Sequence, residues 1–182
     1  MTPRLVVVGG ILASGKSSLA ERLARALGAV YLGADAVRAE LHGAGHQDAY
    51  VPGFSEKLYP ELLRRAAVAL GAGAPVVLDG SFRTRALRAA ARELAAERGA
   101  AFLFVECRVP VSVARERLRE RERSGGGTGW LAMLDAFLER WEAVEELPPA
   151  EHALVDGTLP VEESVGWLTQ GAGLASGAPA PS

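Results

Sequence analysis

Between Leu5 and Leu27 the chain passes from the apolar run Leu5-Val6-Val7-Val8 into Gly9-Gly10-Ile11-Leu12-Ala13-Ser14-Gly15-Lys16-Ser17. It continues into a segment with leucines at 19, 23 and 27. Residues Gly10 to Ser17 satisfy G-x-x-x-x-G-K-[ST] at every required position. A short, β-branched, continuously apolar run ending in glycine is the pattern of a strand buried on both faces. Leucines four apart mark one face of a helix from Lys16 to Leu27, and Gly28 stops it. Strand, glycine-rich turn and helix in that order point to a parallel sheet covered by helices.

The spacing has a chemical reason. Glycines let the turn wrap so tightly that consecutive backbone N–H groups converge on one anion. The helix that follows adds the positive end of its dipole. A phosphate chain would therefore lie against Gly10, Ala13, Ser14, Gly15, Lys16, Ser17 and Ser18. Lys16 would bridge the β- and γ-phosphates of ATP, and the Ser17 hydroxyl would hold Mg²⁺. Lysine is otherwise nearly absent: Lys57 is the only other one, and the remaining basic residues are arginines.

Four further strands are expected at Ala29–Leu32, Val76–Asp79, Phe102–Val105 and Ala153–Asp156. Between them helices are expected over Asp35–Leu41, Glu56–Leu70 with Ser55 as N-cap, Thr84–Arg98, Val111–Arg123, Trp130–Glu146 and Val161–Leu168. Residues 42–53 read as a loop. Strands alternating with helices predict an α/β, three-layer fold with a five-strand parallel sheet. Residues 1–170 form one domain in this reading, and the Gly/Ala/Pro/Ser tail over 171–182 lacks the apolar bulk to pack.

At 182 residues the chain is sized for one buried domain. Its formal net charge of −2 offers no general attraction for nucleic acid or anionic lipid, so any nucleic-acid contact would have to be local. Cys107 is the only cysteine, which excludes an internal disulfide and a cysteine-rich metal site. Arg4 followed by an apolar run resembles a short signal peptide, but cleavage there would destroy the phosphate-binding motif. No apolar stretch reaches the roughly 20 residues needed to span a bilayer. A cytoplasmic location is expected; the sequence carries no signal for an oligomeric state.

Two carboxylates stand out. Asp79 closes the third apolar strand, where an acid can orient Mg²⁺ or its water; the alternative is a strand-end turn residue before Gly80-Ser81. Asp35 follows the second strand with Arg38 three residues on, so both share the first turn of a helix. At the carboxyl ends of parallel strands they would face the ligand crevice. Asp35 can accept a proton from an attacking hydroxyl and Arg38 can hold an anion. Equally, Asp35 is a favoured N-cap and Arg38 ordinary helix surface.

Residues 10–18, the run Leu32-Gly33-Ala34-Asp35-Ala36-Val37-Arg38 and the run from Val76 to Phe82 resemble the bacterial P-loop "predicted kinase" family. That family is related to polynucleotide 5′-kinase, chloramphenicol phosphotransferase and the zeta-toxin kinases. The resemblance implies the strand order 2-3-1-4-5 and a helical lid at about 115–130. It also implies a general base at Asp35 and a substrate contact at Arg38. The family's loop carries Gly-Ser or Gly-Thr before Gly-Lys, where this chain has Ala13-Ser14.

Arg117-Leu118-Arg119-Glu120-Arg121 is similar to the R-L-x-x-R that opens the lid of nucleoside-monophosphate-type kinases. By that likeness Arg117 packs near the adenine, and Arg121 reaches the phosphates and stabilises transition-state charge. Gly125-Gly126-Gly127 would be the hinge. The other reading is a solvated helix with Glu116–Arg119 and Glu120–Arg123 pairs. Asp156-Gly157-Thr158 follows the last strand, where related kinases pass a loop over the base, so Asp156 and Thr158 are candidate nucleotide contacts. Arg83 and Arg85 are candidate substrate contacts, set against a simple Thr84-capped surface helix. His42 and His46 are four apart, but Gly43 and Gly45 argue against a helical zinc pair. Trp130, Trp141 and Trp167 are expected to pack.

The reading is an ATP- and Mg²⁺-dependent phosphotransferase acting on the hydroxyl of a small molecule. A polynucleotide 5′-hydroxyl kinase and a non-kinase ATP-binding or ATP-hydrolysing regulatory module are the alternatives. The small-molecule reading leads because residues 42–59 are compact and not basic.

Overall fold

The computed structural model describes residues 4–42 and 55–170, without the side chains of His42 and Ser55. The expected loop through His46, the Ser55 cap and the tail at 171–182 lie outside the described residues.

Five parallel strands form one sheet in the order β2-β3-β1-β4-β5. They are β1 (Arg4–Gly9), β2 (Val30–Gly33), β3 (Val76–Asp79), β4 (Ala101–Arg108) and β5 (His152–Asp156). The expected order is therefore met. The helices are α1 (Lys16–Leu27), α2 (Ala34–His42), α3 (Ser55–Gly71), α4 (Arg85–Glu97), α5 (Val111–Arg123), α6 (Trp130–Leu138) and α7 (Val161–Gln170).

Alternation along the strands divides the core into two layers. Leu5, Val7, Val76, Leu78 and Phe104 face α2, α3 and α4, among Val37, Leu58, Leu62, Ala91 and Leu94. Val6, Val8, Val77, Leu103 and Val105 face α1 and α7, among Leu19, Leu23 and Leu168. Burying both faces is why the central strands read as unbroken apolar runs. A third, smaller cluster joins α5 to α6 through Ala114, Leu118 and Leu134 and reaches Ile11, Leu12 and Ala13 of the glycine-rich turn.

Register sets the site. Val8 lies opposite both Asp79 on β3 and Val105 on β4. Gly33 of β2 lies opposite Asp79, and Arg108 of β4 opposite Asp156. The carboxyl ends of the strands thus bring the turn after Gly9, the start of α2, Asp79 and the 156–158 segment to one edge.

Two elements differ from expectation. β4 continues past Val105 through Glu106 and Arg108, because the buried Glu106 carboxylate accepts from Arg108 at 2.8 and 3.0 Å and pairs with His152 at 2.9 Å. The helix expected to run from Trp130 to Glu146 stops at Leu138. The strap that follows hydrogen-bonds to the α4 region rather than continuing the helical ladder. Glu142 N donates to Arg83 O at 2.9 Å, and its carboxylate accepts from Arg85 N at 2.6 Å. Arg88 donates to Ala143 O at 3.2 Å and to both Glu146 oxygens, at 2.5 and 3.2 Å. An extended strap carries Val144 and Leu147 into the core.

Candidate functional site

The turn after β1 is folded as its chemistry requires. Gly10 (φ 153°) and Gly15 (φ 94°) adopt positive φ, and a Cβ at Gly10 would come within 2.6 Å of the Cys107 carbonyl oxygen. Ala13 is also left-handed, at φ 58°, so the departure from the family's glycine falls where glycine is conformationally preferred. Ser14 is buried, and its hydroxyl makes no hydrogen bond among the described residues. Lys16 Nζ donates to Ile11 O at 3.3 Å, folding the side chain over the loop. Burial pushes its ammonium pKa down, while the carboxylates of Asp79 and Asp35 pull it back up.

Asp79 ends β3 almost fully buried. Burial raises its pKa, against the Ser17 hydroxyl, the Lys16 charge and the Tyr31 hydroxyl. Tyr31 donates to Oδ2 at 2.8 Å; burial and the neighbouring Asp79 charge raise the tyrosine's own pKa. Oδ1 has no partner of hydrogen-bond geometry among the described residues. A buried carboxylate oxygen without a partner is costly unless a cation or water takes it. Beside Ser17, this donor set fits Mg²⁺, a hard cation that favours oxygen ligands. No cluster of three or more histidine, cysteine or acidic side chains that could hold a metal exists among the described residues. The His42–His46 pair falls outside them.

Asp35 lies in the first turn of α2 and forms an ion pair with Arg38. The Asp35 side chain is 80% exposed and that of Arg38 16%. Both line a cleft of about 510 Å³ together with Lys16, Ser17 and Asp79. The sequence spacing correctly anticipates the shared turn, and the pair faces the phosphate-binding loop.

The arginines of α5 separate by role. Arg119 and Arg123 pair with Glu116 and Glu120 at 2.8–3.4 Å, and Arg115 pairs with Asp135. Arg117 donates to Ala13 O at 3.0 Å and to Gly157 O at 2.8 Å, tying the phosphate loop to the segment after β5. Arg121 reaches the main cleft with its guanidinium 4.0 Å from the centroid of the Trp130 ring. Trp130 is thus a platform for Arg121, and its ring N–H donates to Gly126 O at 2.8 Å. Trp167, expected to pack, is 50% exposed.

The second cavity, about 430 Å³, is lined by Arg117, Asp156 and Gly157 on the other side of the loop. Asp156 accepts from the N–H and the hydroxyl of Thr158 at 2.8 and 2.6 Å, which lowers its pKa. Its neighbour Gly157 has a constraint the sequence did not reveal: a Cβ there would collide with the Ser14 carbonyl oxygen and lie 2.9 Å from Cys107 Sγ. Sequence reasoning also missed Tyr31, because one tyrosine in an apolar strand carries no signal of its partner. It left Arg83 and Arg85 equal. Arg83 lines the main cleft, whereas Arg85 turns toward Glu146 at 3.8 Å.

The protein family described as AAA domain matches residues 5–144. The chain belongs to that family. Among curated relatives, an uncharacterized protein of Mycobacterium tuberculosis (strain ATCC 25618 / H37Rv) is 34% identical over 151 residues. The match covers 78% of this chain and 30% of the relative, so the chain spans less than a third of that protein's length. Among solved structures, a sugar kinase from Janibacter sp. HTCC2649 has a TM-score of 0.68 at 25% identity, covering 96% of this chain and 99% of that one. A gluconokinase from Sinorhizobium meliloti 1021 has a TM-score of 0.62 at 27% identity, covering 90% and 87%. The Mycobacterium tuberculosis APS kinase, in complex with AMPPNP and APS, shares the fold with a TM-score of 0.68 at 22% identity, covering 92% and 95%. The AAA-domain match and these neighbours support a P-loop kinase fold and nucleotide binding. No helix among the described residues is long and apolar enough to cross a membrane.

Proposed function

We propose that this chain transfers the γ-phosphoryl group of ATP to a hydroxyl group of a small molecule. The observation that carries the reading is the shared cleft: Lys16, Ser17 and Asp79 at its phosphate end and the Asp35–Arg38 pair beside them, around about 510 Å³ of open space. That volume suits a small acceptor placed against a γ-phosphate.

In the proposed reaction the loop amides and Lys16 hold the β- and γ-phosphates. Ser17 and Asp79 Oδ1 would hold Mg²⁺, which supplies charge neutralisation on the phosphate oxygens when bound. Asp35 takes the proton of the acceptor hydroxyl as its oxygen bonds to the γ-phosphorus, while the bond from that phosphorus to the β,γ-bridging oxygen breaks and ADP leaves. Arg38 orients Asp35 and stands beside the incoming oxygen. Arg121 meets the charge on the transferring group from the Trp130 side. Arg117 and Asp156 belong to the nucleoside side, and Thr158 acts through Asp156. The α5–α6 end, residues 115–130, serves as the lid.

The test is ATP consumption against a panel of small hydroxyl compounds and a 5′-hydroxyl oligonucleotide. Acceptor-dependent ADP formation is expected with small molecules, falling by about 100-fold or more in Lys16→Ala and in Asp35→Asn. Full turnover in Asp35→Asn would remove the general base, and stimulation by the oligonucleotide alone would replace the small-molecule acceptor.

A further inference from the structure

Phosphate-handling groups explain only part of the charge in the main cleft. Lys16 lies against Ile11 O and near Asp79, Arg38 is engaged by Asp35, and Arg121 rests on Trp130. Two more arginines, Arg83 and Arg140, line the same space. They come from different elements, the turn after β3 and the start of the strap after α6. Neither forms an ion pair with a carboxylate of the described residues, although most described arginines do.

Arg83 is the better fixed of the two. Its carbonyl accepts from Glu142 N at 2.9 Å, and the preceding Phe82 carbonyl accepts from the buried Arg88 at 3.1 Å. Its guanidinium lies 5.5 Å from the centroid of Phe137, which precedes Arg140 by three residues and lines the cleft with Met133. A cleft lined by two such arginines and by the apolar Met133 and Phe137 is suited to a small molecule with one anionic end and a carbon chain. Among the described residues that line the cleft, cationic side chains exceed carboxylates, five (Lys16, Arg38, Arg83, Arg121 and Arg140) against three (Asp35, Glu56 and Asp79).

We propose that Arg83 and Arg140 form an oxyanion-binding subsite and that the acceptor is a small hydroxyl compound carrying a carboxylate or a phosphate. The proposal rests on the phosphotransfer reading for the word acceptor, but the subsite can be measured without turnover. The protein is saturated with a non-hydrolysable ATP analogue and Mg²⁺, so that the phosphate loop is filled. A neutral polyol, the matching aldonic acid and the matching sugar phosphate are then titrated by calorimetry, and the same three are assayed for stimulated ADP formation with ATP.

Binding of the acid or of the phosphate is expected, with the polyol weaker by about tenfold or more. Arg83→Gln and Arg140→Gln should each weaken the anionic ligand by about 10- to 100-fold and leave affinity for the ATP analogue within about twofold. Whichever anion binds more tightly identifies the source of the oxyanion. Equal binding of the polyol, no binding of either anion, or binding indifferent to both substitutions overturns the subsite. Arginine-dependent anion binding without any ADP formation would keep the subsite and defeat the kinase reading. Turnover on the neutral polyol with no anion preference would do the reverse.

Discussion

Replacing Arg88 by methionine tests whether a buried ion pair outside the lining of the main cleft holds the turn that presents Arg83 to it. Arg88 is 0% exposed on α4 and makes four hydrogen bonds: two to Glu146, one to Phe82 O and one to Ala143 O. Methionine keeps much of the volume and removes every donor. The Glu146 carboxylate, 16% exposed, loses its counter-charge, and two carbonyls lose a partner. Breaking a buried pair from one side costs about 3–5 kcal/mol. For a domain of this size each kcal/mol moves the melting temperature by about 2–4 °C, which predicts a fall of about 6–20 °C. Chemical denaturation followed by circular dichroism gives the free energy directly. The control is the double change Arg88→Met with Glu146→Leu, which removes both charges and should recover at least about 1 kcal/mol of the single-mutant loss. If Arg88→Met costs less than about 1 kcal/mol, or the double change is fully additive, the pair does not hold the strap and the reasoning fails.

Other outcomes follow from the same contacts. Ala13→Gly releases a left-handed alanine and should stabilise the fold by about 0.5–1 kcal/mol after the entropy of the extra glycine is subtracted, read as a rise in melting temperature; a fall would show that the alanine methyl is needed in the α5–α6 cluster. Gly157→Ala drives a methyl into the Ser14 carbonyl and should weaken binding of an ATP analogue by about tenfold or more, measured by calorimetry; unchanged affinity would separate the 156–158 segment from the nucleotide site. Burial alone would raise the Glu146 pKa, but hydrogen bonds from Arg88 and from backbone N–H groups hold it at about 2, below the ordinary 4.5. A depressed carboxylate stabilises the fold above its unfolded pKa and loses that contribution as the pH falls from about 4.5 toward 2. Screening at the strap's edge reduces it to about 1–2 kcal/mol, and Glu146→Gln should flatten that part of the stability profile.

The proposed phosphate end of the site was legible because its chemistry is local. One octapeptide supplies the amides, the lysine and the hydroxyl, and its glycines are forced by backbone geometry, so neighbours in sequence are neighbours in space. Asp79 was legible for a related reason: an acid at the end of an apolar strand has a position as soon as the strand does. The buried pair Arg88–Glu146 had no such signature. Arg88 lies in an alanine- and arginine-rich helix where any arginine reads as surface, and its partner is 58 residues away. That pair also explains the shortened α6. Glu142 and Glu146 fit a helical pattern by themselves, and only tertiary hydrogen bonds to Arg83, Arg85 and Arg88 make the extended strap better.

These contacts connect the fold's stability with the geometry of its cleft. Between Asp79 and Arg83 the chain must leave a buried strand, reverse, and present Arg83 to the cleft within four residues. It does so through Phe82 at φ 44°, a left-handed conformation that costs a bulky side chain about 1–3 kcal/mol and persists only where the surroundings enforce it. The surroundings are identifiable. The Phe82 ring is fully buried against Tyr59, its N–H donates to Tyr59 Oη at 3.3 Å, and its carbonyl accepts from Arg88. Tyr59 Oη is in turn 2.7 Å from Ser81 Oγ. Arg88 is fixed by Glu146, so the strap closes the set. The strained turn stands between Asp79 and Arg83, both of which line the main cleft, and its outer anchor, Glu146, is not among the residues that line it.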